Sequence, residues 1–181
     1  GRRPLARDPD GYHAPLSVPR LRRLLSGSDL ARTVIYQPET GSTNDDALAV
    51  ARDNATAGIL FVTDFQTHGR GTRGRSWQSR RNQSLMLSTI FRPRRMLKSV
   101  ELTQISALGL CQGLRHATGL DVKIKWPNDA MVRDRKIGGV LVEVVPGRPA
   151  AAVIGIGANL NAAVNEIDVA DARVTSVLDE T

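Results

Sequence analysis

Four apolar runs follow one another between Val122 and Ile156: Val122–Trp126, Ala130–Arg133, Ile137–Val145 and Ala150–Ile156, with at most four residues between neighbours. Connections that short cannot hold the crossover helix that parallel strands need. The runs therefore predict antiparallel neighbours in one sheet, the last two joined as a hairpin by PGRP at 146–149. Upstream, the β-branched run Thr33–Tyr36 and the apolar runs Ile59–Thr63 and Leu85–Phe91 predict further strands. Two helices are signalled. In GSTNDDALAVAR (41–52), Ser42 or Thr43 suits the N-cap, Asp45 and Asp46 suit the first turn, and Ala47, Leu48 and Ala51 form an apolar stripe. Between Lys98 and Gly119, Val100, Leu102, Ile105, Leu108, Leu110 and Leu114 recur at helical spacing, and Gly119 suits the C-terminal cap. Strands outnumber helices and adjoin one another, which predicts an α+β fold with one mixed or antiparallel sheet.

Composition narrows the class further. A chain of 181 residues can bury one core, and 41% hydrophobic with 24% charged residues is the balance of a globular protein. The single cysteine, Cys111, excludes a disulfide scaffold or a multi-cysteine metal site and reads as a core residue. His13, His68 and His116 lack metal-ligand spacing, and no H-E-x-x-H, G-x-S-x-G or Walker A sequence occurs. The longest apolar stretches, Ile137–Val142 and Ala150–Ala158, are too short to span a bilayer, and no signal-peptide pattern opens the sequence. A cytoplasmic protein without membrane attachment is expected. Residues 1–32, with four prolines and scattered arginines, read as an N-terminal arm in which Val18–Leu25 forms a short helix presenting Leu21, Leu24 and Leu25. The body is expected over 33–181.

The net charge of +7 is local: residues 1–32 contribute +4, residues 70–95, with eight arginines and no acid, contribute +8, and the remainder −5. Arginine outnumbers lysine 21 to 4, and a guanidinium fork matches phosphate or carboxylate oxygens two at a time. Within the basic segment, Gly69, Gly71 and Gly74 make a G-x-G-x-x-G, but a strand rather than a helix follows, so this is not a dinucleotide-binding turn. The loop can present backbone N–H groups and the guanidiniums of Arg70, Arg73 and Arg75 to one anion, or it can be a solvated loop. KWPND at 125–129 sets Lys125 and Asp129 about a proline-fixed bend ahead of Arg135 and Lys136. It suits a point charge aimed at a carboxylate or phosphate, or a plain hairpin with Trp126 in the core. GIGANLN at 155–161 ends a strand with two glycines, and Asn159 and Asn161 suit either an adenine edge or a turn cap.

Taken in order, GSTN (41–44), QTHGRGTRGRSW (66–77), KWPND (125–129), RKIGGVLVE (135–143) and GIGANLN (155–161) resemble the catalytic domain of BirA-type biotin protein ligases, over about residues 33–181. The resemblance implies a mixed β-sheet flanked by helices, like that of class II aminoacyl-tRNA synthetases. It implies an ATP- and Mg²⁺-dependent biotin–[acetyl-CoA-carboxylase] ligase that forms biotinoyl-5′-AMP and transfers biotin to a lysine of a biotin carboxyl carrier protein. On the family pattern Ser42, Thr43, Gln66, Gly69, Gly138, Gly155 and Gly157 bind biotin together with Arg70 and Lys125. Arg70, Arg73, Arg75, Trp77, Asn128, Lys136 and Asn159 bind ATP or the adenylate. Lys125, between the biotin carboxylate and the α-phosphate, and Arg70 are the implied catalytic residues. The resemblance assigns no metal ligands.

Thr72 stands where the family commonly has a third basic residue, which implies a loop that holds the intermediate less tightly. The expectation from the ends of the sequence is a catalytic domain without the SH3-like C-terminal domain or the winged helix of bifunctional members, and so without specific DNA binding. A lipoate protein ligase would share the fold and adenylate chemistry, but its R-R-x-S-G-G-G pattern is absent. A basic nucleic-acid-binding module, with Trp77 and Phe91 to stack bases, would leave KWPND and GIGANLN without a role.

Overall fold

Alternate side chains of a strand face opposite sides of a sheet, and here that alternation separates two apolar layers. The computed structural model describes residues 15–53, 56–93, 98–147, 150–163 and 173–181. Strands β1 (Thr33–Gln37), β2 (Ile59–Thr63), β3 (Ser84–Phe91), β4 (Val122–Lys125), β5 (Asp129–Val132), β6 (Arg135–Val145) and β7 (Ala151–Asn159) form one sheet in the order β1-β2-β3-β7-β6-β5-β4. Only β1 and β2 are parallel, and the helix α2 (Thr43–Arg52) lies between them in sequence. From β4 to β7 every sequential pair is antiparallel, as the short connections require. Of the PGRP turn, Arg148 and Pro149 lie outside the described residues, as do Arg94 and Arg95 of the basic segment.

One layer packs Ala47, Leu48 and Ala51 of α2 against Phe61, Ile90, Val145 and Val153. The opposite layer packs the helix α3 (Ser99–Thr118) against Val122, Val132, Ile137, Val140 and Ile154. Burying these side chains contributes about 1.5–3 kcal/mol each. The buried face of α3 is Leu102, Ala107, Leu110, Cys111 and Leu114, whereas Val100, Ile105 and Leu108 are 47%, 59% and 43% exposed. A stripe chosen by side-chain bulk thus mislocates half of the face, because small Ala107 and Cys111 are what let α3 approach the sheet. Burial pushes the Cys111 thiol up from its ordinary value. Gly119 ends α3 in the left-handed region, φ 79°, its N–H bonded to the Arg115 carbonyl.

The segment before β1 also departs from its expectation. The helix α1 (Val18–Leu24) leaves Leu24 69% exposed, while Leu16, Leu21 and Leu25 pack on Ala31, Val34, Leu60 and Val62. Trp126, placed by the plain-hairpin reading in the core, is 61% exposed in the bend between β4 and β5, where Trp126–Pro127 is cis. Beyond β7, residues 173–175 continue the ladder: Lys136 N–H donates to the Arg173 carbonyl at 2.8 Å and Thr175 N–H to the Lys136 carbonyl at 2.8 Å. The helix α4 (Val177–Glu180) then brings the Glu180 carboxylate, 2% exposed, to Arg135 at 2.5 Å and to the Thr175 hydroxyl at 2.7 Å.

Buried Asp64 fixes the entry of the chain, accepting the Leu16 N–H at 3.1 Å and the Tyr36 hydroxyl at 2.5 Å. Donation to that carboxylate, with burial and the negative charge acting the same way, pushes the Tyr36 phenol up to about 12. The folded value lies above the ordinary one of about 10, so this contribution to stability is complete below pH ~10 and is lost as pH rises toward 12. An ultraviolet titration is expected to show Tyr36 ionising near 12, and Asp64→Asn to return it toward 10.

Candidate active site

On the sheet face that carries α2, three successive outward positions have no side chain: Gly139 on β6, and Gly155 and Gly157 on β7. The resulting cleft has backbone for a floor. The Asn44 amide lies over Gly155, where a Cβ would overlap it, and the Trp77 indole covers Gly157, whose Cβ would stand 2.7 Å from the ring. The Trp77 Nε1–H is buried and, among the described residues, has no hydrogen-bond partner. A buried orphan donor is costly unless a ligand supplies the acceptor.

One end of the cleft is neutral and rich in hydrogen-bonding groups. Ser42, extended, stands at the N-cap position of α2 without a side-chain capping bond, and Thr43 and Asn44 of the first turn line the cleft with it. The Gln66 carbonyl oxygen accepts from Thr43 N–H at 2.8 Å and from Thr43 Oγ1 at 3.0 Å. Thr43 Oγ1 and Ser88 Oγ are 2.8 Å apart, and Ser88 Oγ donates to Asn44 Oδ1 at 2.6 Å. Gly69 closes this end; a Cβ there would meet the Trp77 carbonyl and, at 2.9 Å, the Gln66 amide.

The other end is lined by two cations, both paired with carboxylates. Arg70 grips Glu143 with both terminal nitrogens, at 3.0 and 2.6 Å, and reaches Asp45 at 2.8 Å. Lys136 Nζ lies 2.7 Å from Asp129 Oδ1 and 6.0 Å from the Trp77 ring centroid. Strict alternation counted from Gly139 would turn Lys136 toward α3. The β5–β6 register shifts instead, with Gly138 opposite Ala130 and Lys136 opposite Met131, so Ile137 is an extra residue. Ile137 joins the α3 core at 0% exposed, and Lys136 swings into the cleft.

The cleft therefore assembles Ser42, Thr43, Gln66, Arg70, Trp77, Asn128, Lys136, Gly155 and Gly157 of the residues singled out in the sequence. Five others lie elsewhere. Gly138 faces α3, where a Cβ would sit 3.3 Å from Leu110; its neighbour Gly139 is the cleft glycine. Lys125 is exposed and, with Arg73 and Arg75, lines an adjoining cleft on the far side of Asn128. Asn159 is 4% exposed outside the cleft, its amide donating to the Thr175 carbonyl at 3.0 Å. Thr72 accepts from Arg75 through its hydroxyl at 3.0 Å and its carbonyl at 3.3 Å. Much of the wider arginine patch is internally bonded, Arg81 to Glu39 and the Pro38 carbonyl and Arg92 to the Ala51 carbonyl. Sequence reading did not single out Asn44, Ser88, Gly139 or Glu143 as site residues. The available signal was a polar residue inside an apolar strand, Ser88 in SLMLSTIF and Glu143 in GGVLVEVV.

Sheet order, helix placement and cleft define the catalytic-domain fold of the ligases that resemble class II aminoacyl-tRNA synthetases. The chain belongs to the Biotin/lipoate A/B protein ligase family, whose model matches residues 36–161. It is 37% identical over 149 residues to the bifunctional ligase/repressor BirA of Bacillus spizizenii, covering 81% of this chain and 46% of that one. It is 33% identical over 183 residues to the biotin–[acetyl-CoA-carboxylase] ligase of Mycobacterium tuberculosis, covering 95% and 65%. The biotin protein ligase of Aquifex aeolicus, solved in complex with biotin and ATP, superposes with a TM-score of 0.69 at 27% identity, over 83% of this chain and 61% of that one. The chain spans about half the length of the BirA relatives it matches. No helix among the described residues is long and apolar enough to cross a membrane.

The glycine floor yields a direct test. Gly157→Ala is expected to push the Trp77 ring off the sheet, at a cost of about 1–3 kcal/mol. In a Trp126→Phe background, indole fluorescence should shift to the red and the urea midpoint should fall.

Proposed function

We propose that this chain carries the catalytic centre of a biotin protein ligase. The observation that carries the reading is the polarity of the cleft, neutral hydrogen-bonding groups at one end and two cations at the other. Biotin has the same two ends, a neutral ureido ring and a carboxylate tail. Ser42, Thr43, Gln66 and Ser88 suit the ureido group, with the Asn44 amide and the glycine floor against the ring system. The tail then points to Lys136, and Arg70 beside it suits the phosphates of the nucleotide.

In the first half-reaction a biotin carboxylate oxygen attacks the α-phosphorus of ATP, an acyl–phosphate bond forms, and pyrophosphate leaves. Two anions must approach, and charge grows on the phosphoryl oxygens. Lys136, at the cationic end, suits the position between them, where an ammonium stabilises the transition state more than the ground state. This moves to Lys136 the role that the family resemblance implied for Lys125. Lys125, Arg73 and Arg75, in the adjoining cleft, suit the departing pyrophosphate, and Asn128, which lines both clefts, marks where nucleotide passes between them. Trp77 supplies an apolar wall for the adenylate, and its buried Nε1–H an unmatched donor. Asn159 supports the Lys136 strand through Thr175 rather than reading adenine.

In the second half-reaction the amine of a carrier-protein lysine attacks the acyl carbon, AMP leaves, and the amine loses a proton to form the amide. A biotin carboxyl carrier domain is the proposed acceptor. Among the described residues no group of three His, Cys, Asp or Glu side chains is placed to hold a metal. Mg²⁺ is expected to enter on the nucleotide's own phosphates, and no step here is routed through it. Internal bonding of Arg70, Arg81 and Arg92 supports a site for small anions over sequence-specific DNA binding.

Biotin-dependent exchange of labelled pyrophosphate into ATP tests the proposal, with lipoate in place of biotin expected to give none. Lys136→Ala is expected to lower the exchange rate by about 10²-fold or more, the order of effect for a group aimed at developing charge. Lys125→Ala is expected to act chiefly on the KM for ATP. Equal effects of the two substitutions on kcat would remove Lys136 from the proposed role.

A further inference from the structure

Glu143 stands behind the cleft without lining it, yet its carboxylate meets both ends. On one side it is gripped by both terminal nitrogens of Arg70, at 3.0 and 2.6 Å. On the other, the same Oε2 that takes the 2.6 Å bond accepts from Asn44 Nδ2 at 2.8 Å. Asn44 is 4% exposed, and its Oδ1 accepts from Ser88, whose oxygen accepts in turn from the Thr43 hydroxyl, while the Thr43 N–H donates to Gln66. The bonds run unbroken from the loop cation to the neutral end. Glu143 is the carboxylate that joins Arg70 to Asn44, its side chain 27% exposed on a strand that packs into both apolar layers.

A guanidinium on a glycine-rich loop has many accessible positions, and a bidentate carboxylate fixes its plane as well as its place. Asp45 meets the same guanidinium through one nitrogen and is 57% exposed, so it is the weaker tether. Asn44 has no comparable latitude: its amide is pressed onto Gly155, and loss of its acceptor would leave a buried N–H unpaired.

We propose that Glu143 is a positioning residue for the adenylation step. It holds Arg70 at the nucleotide side and Asn44 at the biotin side in one frame, so that acid and nucleotide are bound in register. The inference rests on the biotin ligase reading of the cleft. The two functions of the carboxylate separate by substitution. Glu143→Gln keeps an oxygen for Asn44 but loses the charge that grips Arg70. Glu143→Ala loses both.

The test is steady-state pyrophosphate exchange on the full chain, with KM measured separately for biotin and ATP and thermal unfolding followed in parallel. Wild type must show biotin-dependent exchange; if it shows none, the ligase reading fails and takes the inference with it. With an active wild type, Glu143→Gln is expected to raise the KM for ATP by about tenfold while the KM for biotin stays within about twofold, the order of effect for losing one charge-assisted pair. Glu143→Ala should raise both. Three results would overturn the inference alone: a Gln variant with both KM values unchanged, Gln and Ala variants that raise both equally, or a Gln variant with a lower KM for ATP, which would mean that Glu143 sequesters Arg70.

Discussion

A sheet can present backbone to a ligand only where side chains are missing, and this site depends on that constraint. Gly139, Gly155 and Gly157 clear one face of β6 and β7 beside the start of α2, while the same strands on their other face are filled by Val140, Ile154 and Ala158 against α3. The cleft is thus a local interruption of an otherwise packed face. What fills it is held from the side: the Asn44 amide from the first turn of α2 and the Trp77 indole from the arginine loop. Either ring or amide would be displaced by one methyl group.

Charge compensation is the second organising fact. Both cations of the cleft rest on carboxylates, Lys136 on Asp129 and Arg70 on Glu143 and Asp45. Side chains half removed from water need such partners, and the partners also keep the ammonium and guanidinium in defined places without a ligand. An anion that enters meets cations already oriented, so the cost of ordering them is met by folding rather than by binding.

Much of this was legible in the sequence. Short gaps between apolar runs required the antiparallel strands β4 to β7, and the Ser42–Asp46 signals fixed the start of α2. GSTN and the glycine-arginine loop pointed to the two ends of the cleft. Alternation and bulk misled elsewhere. Gly138 and Gly139 are adjacent and identical, and only strand phase tells which one faces the cleft. Lys125 and Lys136 are both cations near a bend, and the shifted β5–β6 register decides which enters the cleft. Asn159 has the chemistry to read a base, but a tertiary contact with Thr175, 16 residues away in sequence, uses its amide. Val100, Ile105 and Leu108 obey helical spacing yet face outward, because the sheet meets α3 through smaller side chains.

The extra residue at Ile137 also guards the pairing of β5 with β6. Slipping the two strands by one position would exchange the roles of neighbours, sending Ile137 into the cleft and the Lys136 ammonium into the layer of Leu110, Val122 and Val132. An unpaired ammonium in such a layer costs several kcal/mol, far more than an alternative register could recover. The chemistry of the lysine thereby acts during folding as well as after it. Mispaired hairpins are disfavoured by the same charge that the finished fold presents in the cleft.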